Sequence, residues 1–258
     1  MPAHNGDCGF RLRIHLNHGE RSICVRIDKF LSGAAVASRK EAARAAKKGA
    51  VLVNGKVVKD LSVHIDPEND RVIYDGRAVE YRKYIYVMLN KPAGYVSSTD
   101  DPGAPVVTEL LPENLQKAQL FPCGRLDKYT VGLIILTNDG GAAHRMLSPS
   151  RHVSKTYYFE LSDALSDDDR KRLEAGVDIG GYVTKPCSIE LITDRSGNIT
   201  ITEGKYHQIK RMAEKAGNRI TFLRRISFAG IELDAGLPEG KWRYLNESEL
   251  AVISGYLS

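Results

Sequence analysis

The sequence predicts an α+β protein in which strands outnumber helices. Strand-like segments recur along the chain without strict alternation with helices, which argues against a doubly wound parallel sheet. The run Leu133–Leu136 is too apolar to face water, so it is predicted to be a fully buried central strand. A hydrophobic fraction of 42% is enough to build a substantial core around that strand.

Length, charge and cysteine usage limit the classes of function. With 258 residues, one domain or a small domain plus a medium-sized one is expected. The net charge of +5 is compatible with an acidic partner without requiring one. No apolar run is long enough to span a bilayer, so no membrane partner is expected. The absence of a Cys-x-x-Cys pair predicts reduced cytoplasmic thiols and no metal site, the cysteines being Cys8, Cys24, Cys123 and Cys187.

Residues 1–24 are predicted to be a basic, disordered tail. They lack the apolar core of a signal peptide, and their positive charges are Arg11, Arg13, Arg21 and, when protonated, His15 and His18. Patterned sequence begins at Val25. One hypothesis is that Val25 marks an alternative GTG start and that the preceding residues are not native. N-terminal mass spectrometry of the protein from its own host tests this, and an intact Met1 or Pro2 terminus contradicts it.

Residues 25–80 are predicted to form a small separate domain. The amphipathic segment Arg26–Leu31 predicts a short helix, and a capping box at Ser38–Glu41 predicts the start of a second one. Two hairpins are expected to follow, because Asn54-Gly55 and Asp75-Gly76 each lie between apolar segments.

The second predicted helix of this domain carries concentrated positive charge. Like charges at neighbouring helical positions repel by roughly a few tenths of a kcal/mol per pair, whereas an RNA backbone would turn that repulsion into affinity. A solvated helix face is the alternative. On the first interpretation, the RNA-binding residues of this helix are Arg39, Lys40, Arg44, Lys47 and Lys48.

Residues 84–258 are predicted to form a larger domain after a short linker at 81–84. Its pattern indicates a mixed, largely antiparallel sheet flanked by helices. The predicted strands are 84–89, 133–137, 156–161, 188–193, 198–202 and 219–225. The predicted helices are 141–147, 166–175, 207–216 and 246–253.

The most informative stretch of this domain is Gly124–Gly140. Asp127 follows Arg125 by two residues and precedes the buried strand, so it is expected at the mouth of that strand, partly withdrawn from solvent. A reacting carboxylate needs such a setting. An isolated aspartate at this position is also a common turn former, and the other motifs of the chain decide between the two interpretations.

Three further stretches accompany Gly124–Gly140, namely Asn90–Gly94, Ser154–Tyr157 and Glu203–Met212. Together they resemble the motifs of the RNA pseudouridine synthases, and most closely those of the RsuA family. The resemblance extends from about Val25 to Ile253. Within it, the order of helix, basic helix and hairpin in residues 25–80 resembles the S4 RNA-binding domain.

The resemblance implies that the chain isomerises a uridine in RNA to pseudouridine without a cofactor or metal. The N-glycosidic bond is cleaved, the uracil turns within the pocket and a carbon–carbon bond forms. The family's essential aspartate corresponds to Asp127. Attack on the ribose C1′, addition to uracil C6 and abstraction of the 2′ proton stay open for its role. Because a stacked base cannot be reached, the nucleotide must leave the stack.

The resemblance also implies supporting roles around Asp127. Arg125 is expected to fill the space that the nucleotide vacates and to hold phosphates, and Tyr157 to stack on the base, a contact worth about 1–3 kcal/mol. Lys210 is expected to be the cation that keeps the carboxylate charged in a partly dry pocket. Many relatives carry arginine there, and lysine offers a point charge without the two-pronged fork. Arg211 is therefore the second candidate, and it is also expected to contact RNA.

Each supporting residue has a plain structural alternative. Arg125 could form a surface ion pair, Tyr157 could be a core residue, and Lys210 could face solvent or phosphate. His207 invites a general-base interpretation, but a structural or RNA-contacting role is expected. Two further phosphate contacts are expected at Lys91 and Arg225.

The sequence thus predicts a cytoplasmic, monomeric enzyme that modifies 16S ribosomal RNA within a small-subunit assembly particle. The triplet Tyr206-His207-Gln208 favours the small-subunit branch of the family. A large-subunit (23S) synthase is one alternative, and a non-catalytic RNA-binding protein of ribosome assembly is the other. The latter is disfavoured because a carboxylate in an RNA groove would repel phosphate.

Overall fold

A computed structural model describes residues 24–34, 36–67, 69–79 and 84–256. Two expectations fall largely outside the described residues. These are the tail expected at 1–24, of which 1–23 are not described, and the linker expected at 81–84, of which 81–83 are not described. Within the described part of the chain, two units follow one another. Residues 24–79 form a small unit of two helices and short strands, and residues 84–256 form a larger unit around one wide sheet.

The small unit packs two helices against a four-stranded antiparallel sheet of order β3-β2-β5-β6, with a separate pair β1-β4. Its core residues include Ile27, Phe30, Leu31 and Val51. The elements are β1 (Val25–Arg26), α1 (Ile27–Gly33), α2 (Arg39–Lys47), β2 (Val51–Val53), β3 (Lys56–Val57), β4 (His64–Ile65), β5 (Val72–Tyr74) and β6 (Arg77–Ala78).

The local signals in this unit act as the sequence predicts. Ser38 Oγ accepts from the Glu41 backbone NH, and the Glu41 carboxylate accepts from the Ser38 NH, which completes the capping box of α2. Asn54 and Asp75 have φ of 51° and 49°, and each is followed by a glycine of positive φ. Both hairpins therefore turn through the left-handed pairs that suit the twist of the strands.

The larger unit is built on a nine-stranded mixed sheet with the path β11-β12-β10-β13-β9-β7-β15. Only the pairing of β13 with β9 is parallel among the described strands. The strands are β7 (Tyr86–Lys91), β8 (Phe121–Cys123), β9 (Val131–Thr137), β10 (Lys155–Leu161), β11 (Ser188–Leu191), β12 (Ser196–Ile201), β13 (Ile220–Phe228), β14 (Ile231–Glu232) and β15 (Trp242–Tyr244). The helices are α3 (Glu113–Lys117), α4 (Gly140–Leu147), α5 (Asp167–Ala175), α6 (Gln208–Lys215) and α7 (Glu247–Gly255).

Two apolar cores lie on opposite faces of this sheet, because alternate residues of its central strands point to opposite sides. Ile134 and Leu136 of β9 join the core that includes residues of α5 and α6, whereas Leu133 and Ile135 join the core that includes residues of α4 and α7. Every residue of β9 is buried. The predicted central strand is therefore confirmed, and so is the α+β class with a largely antiparallel mixed sheet.

The two units contact each other through an ion pair that the sequence did not predict. Lys117, at the end of α3, places its Nζ 2.8 Å from a carboxylate oxygen of Glu41 on α2 and 2.8 Å from one of Glu113. The same Glu41 carboxylate closes the capping box, so one side chain both begins the basic helix and joins it to the larger unit.

Within the described residues, no helix combines the length and the apolar character that crossing a bilayer would require.

Candidate active site

Asp127 lies in the loop between β8 and β9, at the mouth of the central strand. The loop closes as a turn in which the Thr130 NH donates to the Asp127 carbonyl at 3.0 Å. Lys91, at the end of the neighbouring strand β7, donates its Nζ to the backbone carbonyls of Pro92, Asp127, Lys128 and Thr130 at 2.8–3.2 Å. The lysine thereby holds the backbone of the loop that carries the carboxylate.

A second set of contacts fixes the residue just before Asp127. Leu126 is buried, and its NH donates to Ser97 Oγ at 2.9 Å while that hydroxyl donates to the Leu126 carbonyl at 3.0 Å. The backbone on both sides of Asp127 is thus tied to other segments, which gives the carboxylate a defined position on a loop.

Gly132, at the start of β9, explains how the loop reaches the partner strand β13. Its φ is 98°, and a Cβ at this position would overlap the backbone oxygen of Arg225. The parallel pairing of Gly132 with Arg225 therefore requires a residue without a side chain. This contact joins the strand that follows the Asp127 loop to the interior of β13.

Two cationic or potentially cationic side chains from the α6 region face the Asp127 carboxylate. Lys210 Nζ donates to Oδ2 at 2.8 Å, and His207 Nε2 lies 3.6 Å from Oδ1. The side chains of Asp127 and Lys210 are 29% and 28% exposed, so the pair is partly withdrawn from water. Because 3.6 Å exceeds a hydrogen-bond distance, Oδ1 has no hydrogen bond from a described residue.

The segment that presents these two residues is held by Glu203 and Gln208. The Glu203 carboxylate accepts from Tyr182 Oη at 2.6 Å, from the Lys185 NH at 2.9 Å and from Gln208 Nε2 at 2.9 Å. Gln208 Oε1 in turn accepts from the Lys205 NH at 3.0 Å. These contacts fix the backbone before α6, and Lys210, in the first turn of that helix, contacts Asp127.

His207 is set by the backbone at the start of α6. It has φ of 51° in the left-handed region, and its ring stacks on that of Tyr206 with 3.9 Å between ring centroids. Tyr206 is 74% exposed, which places an open aromatic ring at the rim above Asp127.

A cleft of about 690 Å³ opens beside Asp127. Tyr157 of β10 is only 7% exposed, yet it forms part of the cleft wall together with Asp127. Arg125 is exposed at the same cleft and makes no side-chain hydrogen bond or ion pair with a described residue. A smaller cavity of about 80 Å³ is lined by Asp127, Tyr157, Arg125 and Lys210, so the structure brings the carboxylate, the aromatic ring and both predicted cations together.

The predicted RNA-binding residues lie in a second region, on α2 and just after it. All five are exposed and form no ion pair with a described residue. Arg211 is half-buried on α6, one residue after the lysine that pairs with Asp127. Contact of any of these residues with RNA stays a prediction.

The expected phosphate contact of Lys91 is wrong. This side chain is fully buried and its ammonium is occupied by backbone carbonyls. Burial lowers the pKa of Lys91 to about 8, an effect that the neighbouring charge of Asp127 partly opposes. Arg225 is likewise 1% exposed and donates Nε to the Leu133 carbonyl at 2.8 Å, so it is not a surface phosphate contact either.

Two features of the site were not predicted from the sequence. Lysine is usually an exposed residue type, so the residue type argued against a role for Lys91 in holding the loop that carries Asp127. Glu203 and Gln208 lie in a motif that the sequence singled out, but no structural role was expected of them, although an acidic residue and an amide flanking a turn can satisfy its backbone groups. His207, expected to be structural or to contact RNA, lies 3.6 Å from Oδ1 of Asp127.

The arrangement centres on one carboxylate. Among the described residues, no cluster of three or more histidine, cysteine or acidic side chains is suited to hold a metal ion. One oxygen of Asp127 accepts from Lys210, the other has no hydrogen bond from a described residue, and Tyr157 lies in the wall of the same cavity. This arrangement of an acid, a cation and an aromatic ring is the one that the resemblance to the RNA pseudouridine synthases implies.

Comparison with known proteins gives the family. A model of the RNA pseudouridylate synthases matches residues 85–215, and an S4 domain model matches residues 25–72. The chain is 46% identical over 235 residues to the uncharacterized RNA pseudouridine synthase YtzG of Bacillus subtilis, covering 89% of this chain and 98% of that one. It is 40% identical over 232 residues to ribosomal small subunit pseudouridine synthase A of Escherichia coli K12, covering 89% of this chain and 100% of that one.

A solved structure supports the same assignment. The crystal structure of a pseudouridylate synthase aligns with a TM-score of 0.63 and 36% identity, covering 89% of this chain and 99% of that one. The chain therefore belongs to the RNA pseudouridine synthase family of RsuA type, with an S4 domain before the catalytic domain. It is an isomerase that acts on RNA.

Proposed function

We propose that this enzyme isomerises a specific uridine of 16S ribosomal RNA, with Asp127 as its catalytic residue. The observation that carries the chemistry is a carboxylate with one oxygen bound by Lys210 at 2.8 Å and with Oδ1 lacking a hydrogen bond from any described residue. The name of the Escherichia coli relative, a ribosomal small subunit synthase, supports the choice of RNA.

The surrounding residues act on the reacting nucleotide in distinct ways. Lys210 stabilises the charged form of Asp127 and orients it, so that the negative charge is available in a partly dry cleft. Tyr157 stacks on the flipped uracil, and Arg125, which is exposed and without a partner among described residues, takes up phosphate or the vacated stack. His207 lies close enough to hold the ribose or the base near Oδ1.

Each unit of the chain has its own part in this proposal. Residues 25–80 act as an RNA-binding domain through the exposed cations of α2, and residues 84–258 act as the catalytic domain. The substrate is the RNA within a small-subunit assembly particle in the cytoplasm, and the enzyme works as a monomer. The ribosomal name of the relative and the unpaired charges of α2 support these assignments.

Pseudouridine mapping across ribosomal RNA tests the proposal. RNA from cells with and without the protein is treated with a reagent that marks pseudouridine and is read by primer extension. One site in 16S RNA should lose its signal in the deletion strain and regain it with the wild-type protein, but not with Asp127→Asn. Loss of a 23S site instead would assign the enzyme to the large subunit. Unchanged RNA would contradict catalysis and favour a binding role.

A further inference from the structure

A second pair of cations lies in the wall of the same cleft, away from the Asp127–Lys210 pair. Lys155, at the start of β10, and Arg225, on the adjacent strand β13, both border the opening. Both lie over the ring of Phe228, with Lys155 Nζ 5.8 Å and the Arg225 guanidinium carbon 4.9 Å from its centroid. The two positive charges therefore share one small region of the wall.

This pair has no acidic partner among the described residues. Arg225 is 1% exposed, donates Nε to the Leu133 carbonyl, and leaves Nη2 buried without any hydrogen-bond partner. Lys155 Nζ donates only to the Val153 carbonyl, at 2.8 Å. Buried charges in proteins are normally paired. An unpaired pair of cations at a substrate cleft is instead the arrangement that an anionic ligand completes.

Lys91 provides the internal contrast. Its side chain is fully buried, and its ammonium donates to four backbone carbonyls, so it has no donor left for a ligand. Lys155 is only half-buried, uses one of its three N–H donors on a carbonyl and borders the cleft. The two lysines therefore differ both in burial and in their availability to a ligand.

We propose that Lys155, supported from beneath by the charge of Arg225, binds a phosphodiester of the substrate strand next to the flipped uridine. The inference rests on the proposed function. Lys155 and Tyr157 are two residues apart on β10, about 7 Å along the strand, and both line the cleft. A nucleotide whose base stacks on Tyr157 brings its own phosphates within one sugar of Lys155.

The titration of the site gives a second signature. Burial and the charge of Arg225 lower the pKa of Lys155 to about 8, while Glu203 opposes the shift. The nearby thiol of Cys123 is neutral at this pH, because burial raises its pKa to about 11. Lys155 therefore loses its proton as the pH rises through about 8, and its attraction for phosphate falls with it.

A binding cycle tests the subsite. The RNA probe is a hairpin carrying the mapped uridine, either unmodified or with one neutral methylphosphonate on the 5′ or the 3′ side of that uridine. The two proteins compared have lysine or methionine at position 155, and both carry Asp127→Asn to stop the reaction. Lys155→Met should weaken binding of unmodified RNA about 10- to 100-fold, as expected for a lost charge-assisted contact. One methylphosphonate should cause a similar loss, and the two changes together should cost no more than either alone.

Additive losses, or no loss with Lys155→Met, would overturn the subsite. Wild-type affinity should also fall between pH 7 and pH 9, whereas Lys155→Arg should keep its affinity over this range. Without RNA, Lys155→Met should raise the melting temperature, since it removes a half-buried charge that has no acidic partner among the described residues, and a lowered melting temperature would indicate a structural role instead. Failure of the wild-type enzyme to form pseudouridine would count against the function, whereas an active enzyme with additive losses would count against this subsite alone.

Discussion

The two basic regions of this molecule hold their charge in opposite ways. On α2 and just after it, the cations are exposed and have no ion-pair partner among described residues. Around Asp127, Lys91 and Lys210 each donate to defined acceptors at 2.8–3.2 Å. The first arrangement suits many phosphate positions along a flexible strand, and the second suits one geometry. We therefore expect α2 to bind RNA along its backbone and the residues around Asp127 to act on one nucleotide.

The largest expected effect is that of removing the charge of Asp127, which should lower the reaction rate without weakening RNA binding. Asp127→Asn keeps the shape of the side chain and removes its charge, so the rate of pseudouridine formation should fall by at least about 10⁴-fold. Affinity for RNA should stay near that of the wild type, because α2 is untouched. Single-turnover kinetics and equilibrium binding on the same RNA measure the two quantities. Retained turnover in the variant would mean that another group does the chemistry.

Lys210 tests whether the cleft needs a charge or only a filled space. Lys210→Met should lower the single-turnover rate by about 10²- to 10³-fold, the usual cost of losing a fixed electrostatic contact in an active site. Lys210→Arg restores the charge and offers a two-pronged partner to the carboxylate, so it should recover most of the rate. Equal losses in both variants would show that the ammonium geometry matters beyond its charge.

Lys91 should affect stability before it affects RNA binding. Lys91→Met leaves buried carbonyls of the Asp127 loop without a donor, so the free energy of unfolding should fall by about 2 kcal/mol or more. Urea denaturation measures this change. Lys155→Met, at the half-buried lysine of the cleft wall, is the control and should not destabilise. Loss of stability in both variants would remove the distinction between an occupied and an available lysine.

The pH dependence of the Lys91 effect has a defined sign. The pKa of Lys91 is about 8 in the folded protein, against roughly 10.4 for an unfolded lysine. Between these values the unfolded state binds more protons, so the contribution of Lys91 to stability rises with pH. The wild-type advantage over Lys91→Met should therefore widen from pH 8 to about pH 10. A constant difference would contradict the lowered pKa.

Local patterns were enough for most of the fold. The capping box at Ser38, the left-handed Asn54-Gly55 turn and the apolar β9 each have a cause within a few residues, so the sequence predicted them. The short elements α3, β14 and β15 span five residues or fewer and show no periodic pattern. Packing against the rest of the domain stabilises these elements, and a local sequence pattern does not predict such packing.

The candidate site likewise contains contacts that no local sequence pattern predicts. Asp127 and Lys210 are 83 residues apart in sequence, and only the resemblance to a family suggested that they meet. The interpretation of Lys91 as a phosphate ligand failed because it rested on residue type, whereas burial decides what a lysine binds. The chain does contain a signal, since Lys91 ends the buried strand β7 and precedes Pro92, where a side chain can fold back on a turn.

The exposed cations of α2 should act additively and through salt. The combined variant Lys40→Gln, Lys47→Gln, Lys48→Gln should weaken RNA binding about tenfold and reduce the slope of log affinity against log salt by about 2, as three lost phosphate contacts on a single strand predict. Its rate at saturating RNA should be unchanged. Lys171→Gln, an exposed lysine on α5, serves as the control. An unchanged salt slope would place the RNA elsewhere on the protein.

The smallest effect is expected at the ion pair that joins the two regions. Lys117 Nζ lies 2.8 Å from Glu41, and this contact, with those from Ser38, holds the pKa of Glu41 at about 2. Surface pairs contribute little to stability, so Lys117→Met should barely change the melting temperature at pH 7. Because the lowered pKa stabilises the fold only while Glu41 is charged, the small difference from wild type should vanish as the pH falls from about 4.5 towards 2. If Lys117→Met instead lowered both RNA affinity and the single-turnover rate on the same RNA, the pair would couple the diffuse charge of α2 to the defined charge of the cleft, and the two regions would no longer be independent.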